Sequence, residues 1–198
     1  HRVDRRQRQM CIRDSLRPEY DDEIIEKWIE GETGFPFLDA CMKFLNENGW
    51  INFRMRAMIM SFASYNLWQP WQKTSPRLAE LFTDYEPGIH ISQVQMQSGV
   101  TGINLPRIYS ISKQSMDQDP DAEWTKNLLP QLNSFDPKLI HNAELNDSYI
   151  PQIVDLKSSA KFARDQIWGI RKSIEFKNEA RKVYLKHGSR RKRYTKTS

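Results

Sequence analysis

Gly49-Trp50-Ile51-Asn52-Phe53-Arg54-Met55-Arg56-Ala57-Met58 runs directly into Ile59-Met60-Ser61-Phe62-Ala63. The stretch predicts a helix from Asn52 to Trp68 that is apolar most of the way round and therefore central. Two arginines stand inside it. A buried arginine is costly unless it meets a carboxylate or an anionic ligand. The segment thus predicts a pocket for something flat and negatively charged.

Outward from this helix the pattern stays helical. Leu38, Cys41, Met42 and Leu45 share a helical face, and Gly49 ends that helix. Ser75-Pro76 reads as a cap and first-turn proline opening a helix Arg77 to Phe82. Asp119-Pro120 repeats the signal before Glu123 to Leu129. Asp155 caps a long last helix reaching about Lys186, closed by Gly188. Residues 84–109 contain Pro87, Gly88, Gly99, Gly102 and Pro106 and read as the least regular part. No alternating run is long enough for a sheet, so the fold class is all-α.

At 198 residues, with 38% apolar and 28% charged residues, the chain is long enough for one domain with a real core. The net charge of +5 comes from the ends: residues 1–15 carry +3 and residues 186–198 carry +6, which leaves −4 on residues 16–185. The basic pI is therefore weak support for nucleic-acid binding by the body. Three parts are expected: a foreign or disordered head 1–15, a helical domain 16–186, and a basic disordered tail 187–198. No initiator methionine opens the chain, so a fragment is expected. No apolar run reaches the roughly 20 residues a membrane span needs. Cys11 and Cys41 lack framework spacing and read as reduced thiols. His1, His90, His141 and His187 are scattered, so no metal site is expected. Gly99-Val100-Thr101-Gly102 mimics an RNA-binding loop without that fold's strands. There is no nucleophile elbow, P-loop or G-x-G-x-x-G.

A longer pattern is more specific. Trp28, Gly31, Thr33, Gly34, Phe35, Pro36, Asp39 and Ala40 lead to Gly49, Trp50, Arg54 and Arg56. Leu81-Phe82-Thr83-Asp84, Arg107-Ile108-Tyr109, Leu128-Leu129-Pro130-Gln131-Leu132 and Tyr149-Ile150-Pro151-Gln152 follow. Over residues 24 to 190 the chain resembles the C-terminal part of the helical FAD-binding domain of the photolyase/cryptochrome family. The resemblance implies FAD as cofactor, with Arg56 and Asp84 paired against the isoalloxazine ring. The alternative for that pair is a structural salt bridge with no ligand. Trp50 resembles the tryptophan that packs beside the ring, with plain core packing as its alternative. Tyr85 lies in the same acidic loop. Glu86 replaces the family's usual aspartate, and His90 stands at a usual asparagine beside flavin N5. A histidine there would tune ring protonation; an ordinary loop histidine is the other reading. Phe53 also occupies a usual asparagine position.

By the same resemblance Trp71 matches the middle member of an electron-transfer tryptophan chain. The flavin-proximal member is Val94, which breaks the usual relay. Met96 replaces a lesion-stacking tryptophan. Arg54 and Arg107 match positions that meet DNA phosphates around a flipped lesion. The implied partner is damaged DNA carrying pyrimidine dimers, with no membrane and no metal, in the cytoplasm or in a eukaryotic nucleus. The implied activity is light-driven electron transfer from reduced FAD that repairs the dimers. A cryptochrome-type blue-light sensor without repair is the alternative. A helical nucleic-acid or protein interaction module without flavin is the third reading. The pattern lacks the antenna domain and the segment bearing the phosphate-binding hydroxyls, so this piece is expected to hold FAD weakly or not at all.

Overall fold

A computed structural model describes residues 16–101, 106–172 and 174–187. Among these residues the fold is all-helical, with no β-strand. Ten α-helical stretches are found among the described residues. They are α1 Asp22–Glu30, α2 Pro36–Asn48, α3 Phe53–Ser61, α4 Trp71–Leu81, α5 Pro87–Gln97, α6 Ile111–Gln118, α7 Glu123–Leu128, α8 Pro137–Asn142, α9 Leu156–Lys172 and α10 Ile174–His187. The expected head and the end of the tail, with Cys11, His1 and Gly188, lie outside the described residues.

Helix α2 is the hub, and its neighbours are α1, α3, α6, α7 and α8. It can be, because seven of its apolar side chains are sealed and the carboxylate of Asp39 is sealed with them. Asp39 accepts from the amides of Thr33 (2.9 Å) and Gly34 (3.1 Å), the Thr33 hydroxyl and the Tyr149 hydroxyl (3.0 Å). Burial still raises its pKa, since desolvation outweighs the four donors that lower it. The cluster pins the Thr33-Gly34 turn and the far segment around Tyr149 to one end of α2. Gly34 has φ of +83°, and a Cβ there would sit 2.6 Å from the backbone of Gln152. Both facts require glycine.

The central segment starts as expected, with Asn52 capping α3 through the Met55 amide (3.0 Å). Its burial is graded rather than uniform. Phe53 and Arg54 are exposed, Met55 and Arg56 are half-buried, and the seal begins at Ala57. The first turn of α3 projects from the core, so neither arginine is fully buried as its apolar setting predicts. Beyond Ser61 the helix widens into a π-turn, Phe62–Asn66, and the Leu67 amide donates to the Phe62 carbonyl (3.0 Å). Phe62 meets Phe35 edge-on at 5.4 Å, locking α3 to the start of α2.

Three local expectations need correction. Helix α4 begins at Trp71, not Arg77, and Pro76 lies inside it. Thr74, Ser75 and Leu78 are buried on one face, so packing holds the first turns despite the backbone hydrogen bond that proline removes. Ser75 is consequently no cap. The irregular stretch after Asp84 contains the full helix α5, which Glu86 caps and Pro87 starts. Before α7 the cap position is Ala122, in the left-handed region (φ +54°). Asp119 still serves the helix from three residues upstream, accepting from the amides of Trp124 (3.1 Å) and Thr125 (2.8 Å). At the chain's end Asp155 accepts from the Ser158 amide (2.7 Å), as expected of a cap. The described residues 156–172 and 174–187 are helical, over the span of the long last helix that was expected.

Candidate functional site: a flat cavity between two helices

Helices α3 and α5 pack across each other, and α4 closes the floor between them. The cavity they enclose has a volume of about 300 Å³. Trp50, Phe53, Met60, Leu78, Phe82 and Val94 form much of its apolar wall. That volume lies at the lower end for ligand sites, which suits one planar ring system rather than a whole dinucleotide.

Gly49 sets the geometry of the rim. Its φ of +69° ends α2, and its carbonyl accepts from the Thr83 amide (3.0 Å) and hydroxyl (3.2 Å). A Cβ at Gly49 would collide with the Thr83 methyl. The start of α3 and the loop at Asp84 are thereby held side by side. Arg56 then reaches Asp84 with a 2.8 Å hydrogen bond from Nη2, while its Nε donates to the Ile51 carbonyl (2.8 Å). The guanidinium lies 4.1 Å above the Phe82 ring. The Arg56 hydrogen bond is the main reason the Asp84 carboxyl titrates below its ordinary range.

With side chains 26% and 48% exposed, the Arg56–Asp84 pair contributes at most about 1 kcal/mol to stability. It is poor value as a structural bridge and well placed as a ligand contact. The lining is less positive than expected, because Asp84, paired with Arg56, and Glu86 line the same cavity. Its character is apolar, with one polar rim.

The other expected residues sort clearly. Trp50 is 51% exposed and Phe53 57% exposed, and both line the cavity, which removes plain core packing as the account of Trp50. Tyr85 lines it too, edge-on to His90 at 5.3 Å. Glu86 lines it while one carboxylate oxygen accepts from the Ile89 amide (2.7 Å). His90 Nε2 lies 3.2 Å from the Ser75 carbonyl and 3.1 Å from its hydroxyl. A carbonyl only accepts, so Nε2 carries the proton. Burial, with help from the Arg56 charge, lowers the His90 pKa and keeps the ring neutral at pH 7. Val94 is sealed in the cavity wall.

Trp71, Met96, Arg54 and Arg107 do not line the cavity. Trp71 packs against the main core at the start of α4, and its indole N–H is buried without an acceptor. Met96 is half-buried. Arg54 and Arg107 are exposed, and the Arg107 carbonyl accepts from the Ser61 hydroxyl (3.2 Å). Sequence reasoning missed Ile89, Gln93 and Gln97. With Glu86, His90 and Val94 they make one face of α5 at three- and four-residue spacing, a signal present in the sequence but hidden behind Pro87-Gly88. Among the described residues no cluster of three metal-ligating side chains occurs, and no helix is long and apolar enough to cross a membrane.

An all-helical domain with an apolar cavity and an arginine–carboxylate rim defines a cofactor-binding domain. The FAD binding domain model of DNA photolyase matches residues 2–169, and the chain belongs to that family. A chloroplastic/mitochondrial cryptochrome DASH of Oryza sativa subsp. japonica is 34% identical over 140 residues, covering 69% of this chain and 23% of the rice protein. A deoxyribodipyrimidine photo-lyase of Thermus thermophilus is 28% identical over 120 residues, covering 60% of this chain and 29% of that enzyme. The archaeal photolyase of Sulfolobus tokodaii, solved with two FAD molecules, superposes with a TM-score of 0.74 at 27% identity, covering 80% of this chain and 38% of that one. The chain therefore spans about a quarter of the length of the two curated relatives. The residues present fit the ring of the family's cofactor, FAD. The cavity's volume suits one ring system, its rim offers the Arg56 guanidinium, and Trp50 and Phe53 line it with half-exposed aromatic rings.

Proposed function

We propose that this chain forms the ring-binding part of a light-driven flavoprotein that repairs pyrimidine dimers in damaged DNA. The observation that carries the reading is the Arg56–Asp84 pair at the rim of an apolar slot sized for one ring system. FAD, when bound and reduced, supplies the excited electron that splits the dimer. The chain's own residues bind and tune. Arg56 stabilises negative charge on the ring, since its guanidinium stays charged at any working pH. Asp84 fixes that guanidinium in place. Trp50, Phe53 and Phe82 exclude water from the ring faces. His90, neutral and held by Ser75, offers its Nδ1 lone pair as an acceptor. Arg54, exposed two residues before Arg56, is positioned to meet DNA phosphates near the slot, and Arg107 supplies a second phosphate contact. The slot holds a ring rather than a dinucleotide, so this stretch by itself is expected to retain FAD weakly or not at all.

A blue-light sensor of cryptochrome type is the second reading. Val94, sealed in the wall where an oxidisable ring would be needed, favours it. Illumination of the full-length protein with dimer-containing DNA separates the two. Loss of dimers supports repair. Flavin photoreduction with dimers intact supports the sensor and rejects repair. A full-length protein that purifies colourless rejects both.

A further inference from the structure

We propose that the exposed face of helix α9 docks the phosphate backbone of duplex DNA, as a surface separate from the slot and from Arg54 and Arg107. The inference does not rest on the cavity holding a ligand.

Charge is divided along this chain more sharply than its net value shows. Residues 16–155 carry 11 Lys and Arg against 20 Asp and Glu, a net −9, whereas residues 156–185 carry eight against three, a net +5. Helix α9 opens the basic part. Lys157, Lys161, Arg164 and Lys172 are all exposed, and their spacing of four, three and eight residues sets them on one stripe of the helix. The stripe is about 22 Å long at 1.5 Å per residue. Trp168, 45% exposed, lies on it between Arg164 and Lys172. Asp165 is the one acid in the helix. Among the described residues none of the four cations is in an ion pair. Asp155 feels the charge of Lys157 but accepts from the Ser158 amide as the helix cap. Like charges three and four residues apart repel along a helix, so the stripe weakens α9 unless an anion lies across it.

The buried face of α9 narrows the choice of anion. Ala163 and Ile167 are sealed in a cluster with Tyr65, against which Trp68 packs, and the Asn66 amide donates to the Ser159 hydroxyl (3.0 Å). The helix is thereby fixed on the π-turn, at the far end of α3 from Arg54 and Arg56. A helix lying in a lipid surface inserts its apolar face, and α9 has already buried its own against the fold. What stays outside is a row of repeated positive charge, which suits a polymer of repeated negative charge. Duplex DNA supplies one, and contacts to its phosphates need no particular base sequence.

The test measures binding of the full-length protein to a short undamaged duplex by fluorescence anisotropy, in the dark, from about 50 to 200 mM salt. The parent is compared with a variant carrying Lys157→Gln, Lys161→Gln, Arg164→Gln and Lys172→Gln. Glutamine keeps the helix propensity and removes the charge. Each phosphate contact contributes about 0.9 to the fall of log K with log salt, so the variant's slope is expected to be shallower by about 3. Its affinity at about 50 mM salt is expected to drop at least tenfold. A second variant keeps the charges, with Lys157→Arg, Lys161→Arg, Arg164→Lys and Lys172→Arg, and is expected to bind as the parent does. A parent that does not bind the duplex overturns the proposal. So does a loss under about tenfold, or a slope change under about 2, in the glutamine variant. An equal loss in the charge-keeping variant makes the effect structural and overturns it. Tighter binding of the parent to phosphatidylserine vesicles than to the duplex overturns it in favour of a lipid surface. A slope that becomes shallower only when Arg190, Arg191, Lys192 and Arg193 are changed to glutamine assigns the contact to the tail and overturns it for α9. None of these readings needs flavin or a lesion, so a failure of the flavin assignment leaves them standing.

Discussion

Two arginines show how differently this fold uses one side chain. Arg56 stands at the cavity rim, paired with Asp84 and partly wet. Arg17 is sealed, and among the described residues no carboxylate pairs with it. Its Nε donates to the Ser64 carbonyl (2.7 Å) and its Nη1 to the Ser98 carbonyl (3.1 Å). Its guanidinium lies 4.3 Å over the Trp68 ring. Ser98 is the C-cap of α5, where the helix dipole presents partial negative charge, and Ser64 lies in the π-turn. Arg17 therefore joins the end of α5 to the widened end of α3. Burial pushes its pKa down to about 10, so it remains a cation at neutral pH. The buried arginine staples the two helices at one end, and the rim arginine faces the slot they enclose.

That contrast is open to direct attack. Arg17→Ala removes two hydrogen bonds to buried carbonyls and the packing on Trp68, and is expected to lower unfolding free energy by about 3 kcal/mol in urea melts. The contrast breaks if the loss is under about 1 kcal/mol. Arg56→Met is expected to cost stability only about 1 kcal/mol, yet to weaken binding of the reduced flavin ring about tenfold, since hydrogen bonds to charged groups are the strong ones. Equal affinity in calorimetric titration would reduce Arg56 to a surface bridge. The smallest effect concerns His90. Its folded pKa is lowered below the ordinary 6.5, so the unfolded chain takes up its proton first as pH falls. Stability is then full above pH 6.5 and declines as pH drops through 6.5 toward the folded pKa. In His90→Phe this part of the pH dependence is expected to flatten, measured as melting temperature from pH 7.5 to 5.

Much of the fold was legible from residue patterns. The α2 helix, its Gly49 stop, the Asn52 entry to α3 and the Asp155 cap all follow from local chemistry, and local chemistry is what sequence spacing records. Helix α4 was misread because Ser75-Pro76 is a strong local start signal, overridden by the burial of Thr74 and Leu78 against the core. Helix α5 was passed over for the opposite reason. Pro87 and Gly88 looked like loop punctuation, although proline is welcome in a first turn. At the site, the resemblance pointed to Arg56, Asp84, Trp50, Phe53, Tyr85, Glu86 and His90, which line one cavity, while Ile89, Gln93 and Gln97 lie outside its motifs.

The amino-acid order alone determined the class of fold and the helix ends marked by Gly49, Asn52 and Asp155; the resemblance implied the pairing of Arg56 with Asp84, and the structure brings the two together. Only the tertiary structure decided how deep each group lies. Burial depends on which helices meet, and no residue carries that information in its neighbours along the chain. Depth made Trp50 a wall of the slot and sealed Arg17 against two carbonyls from distant segments.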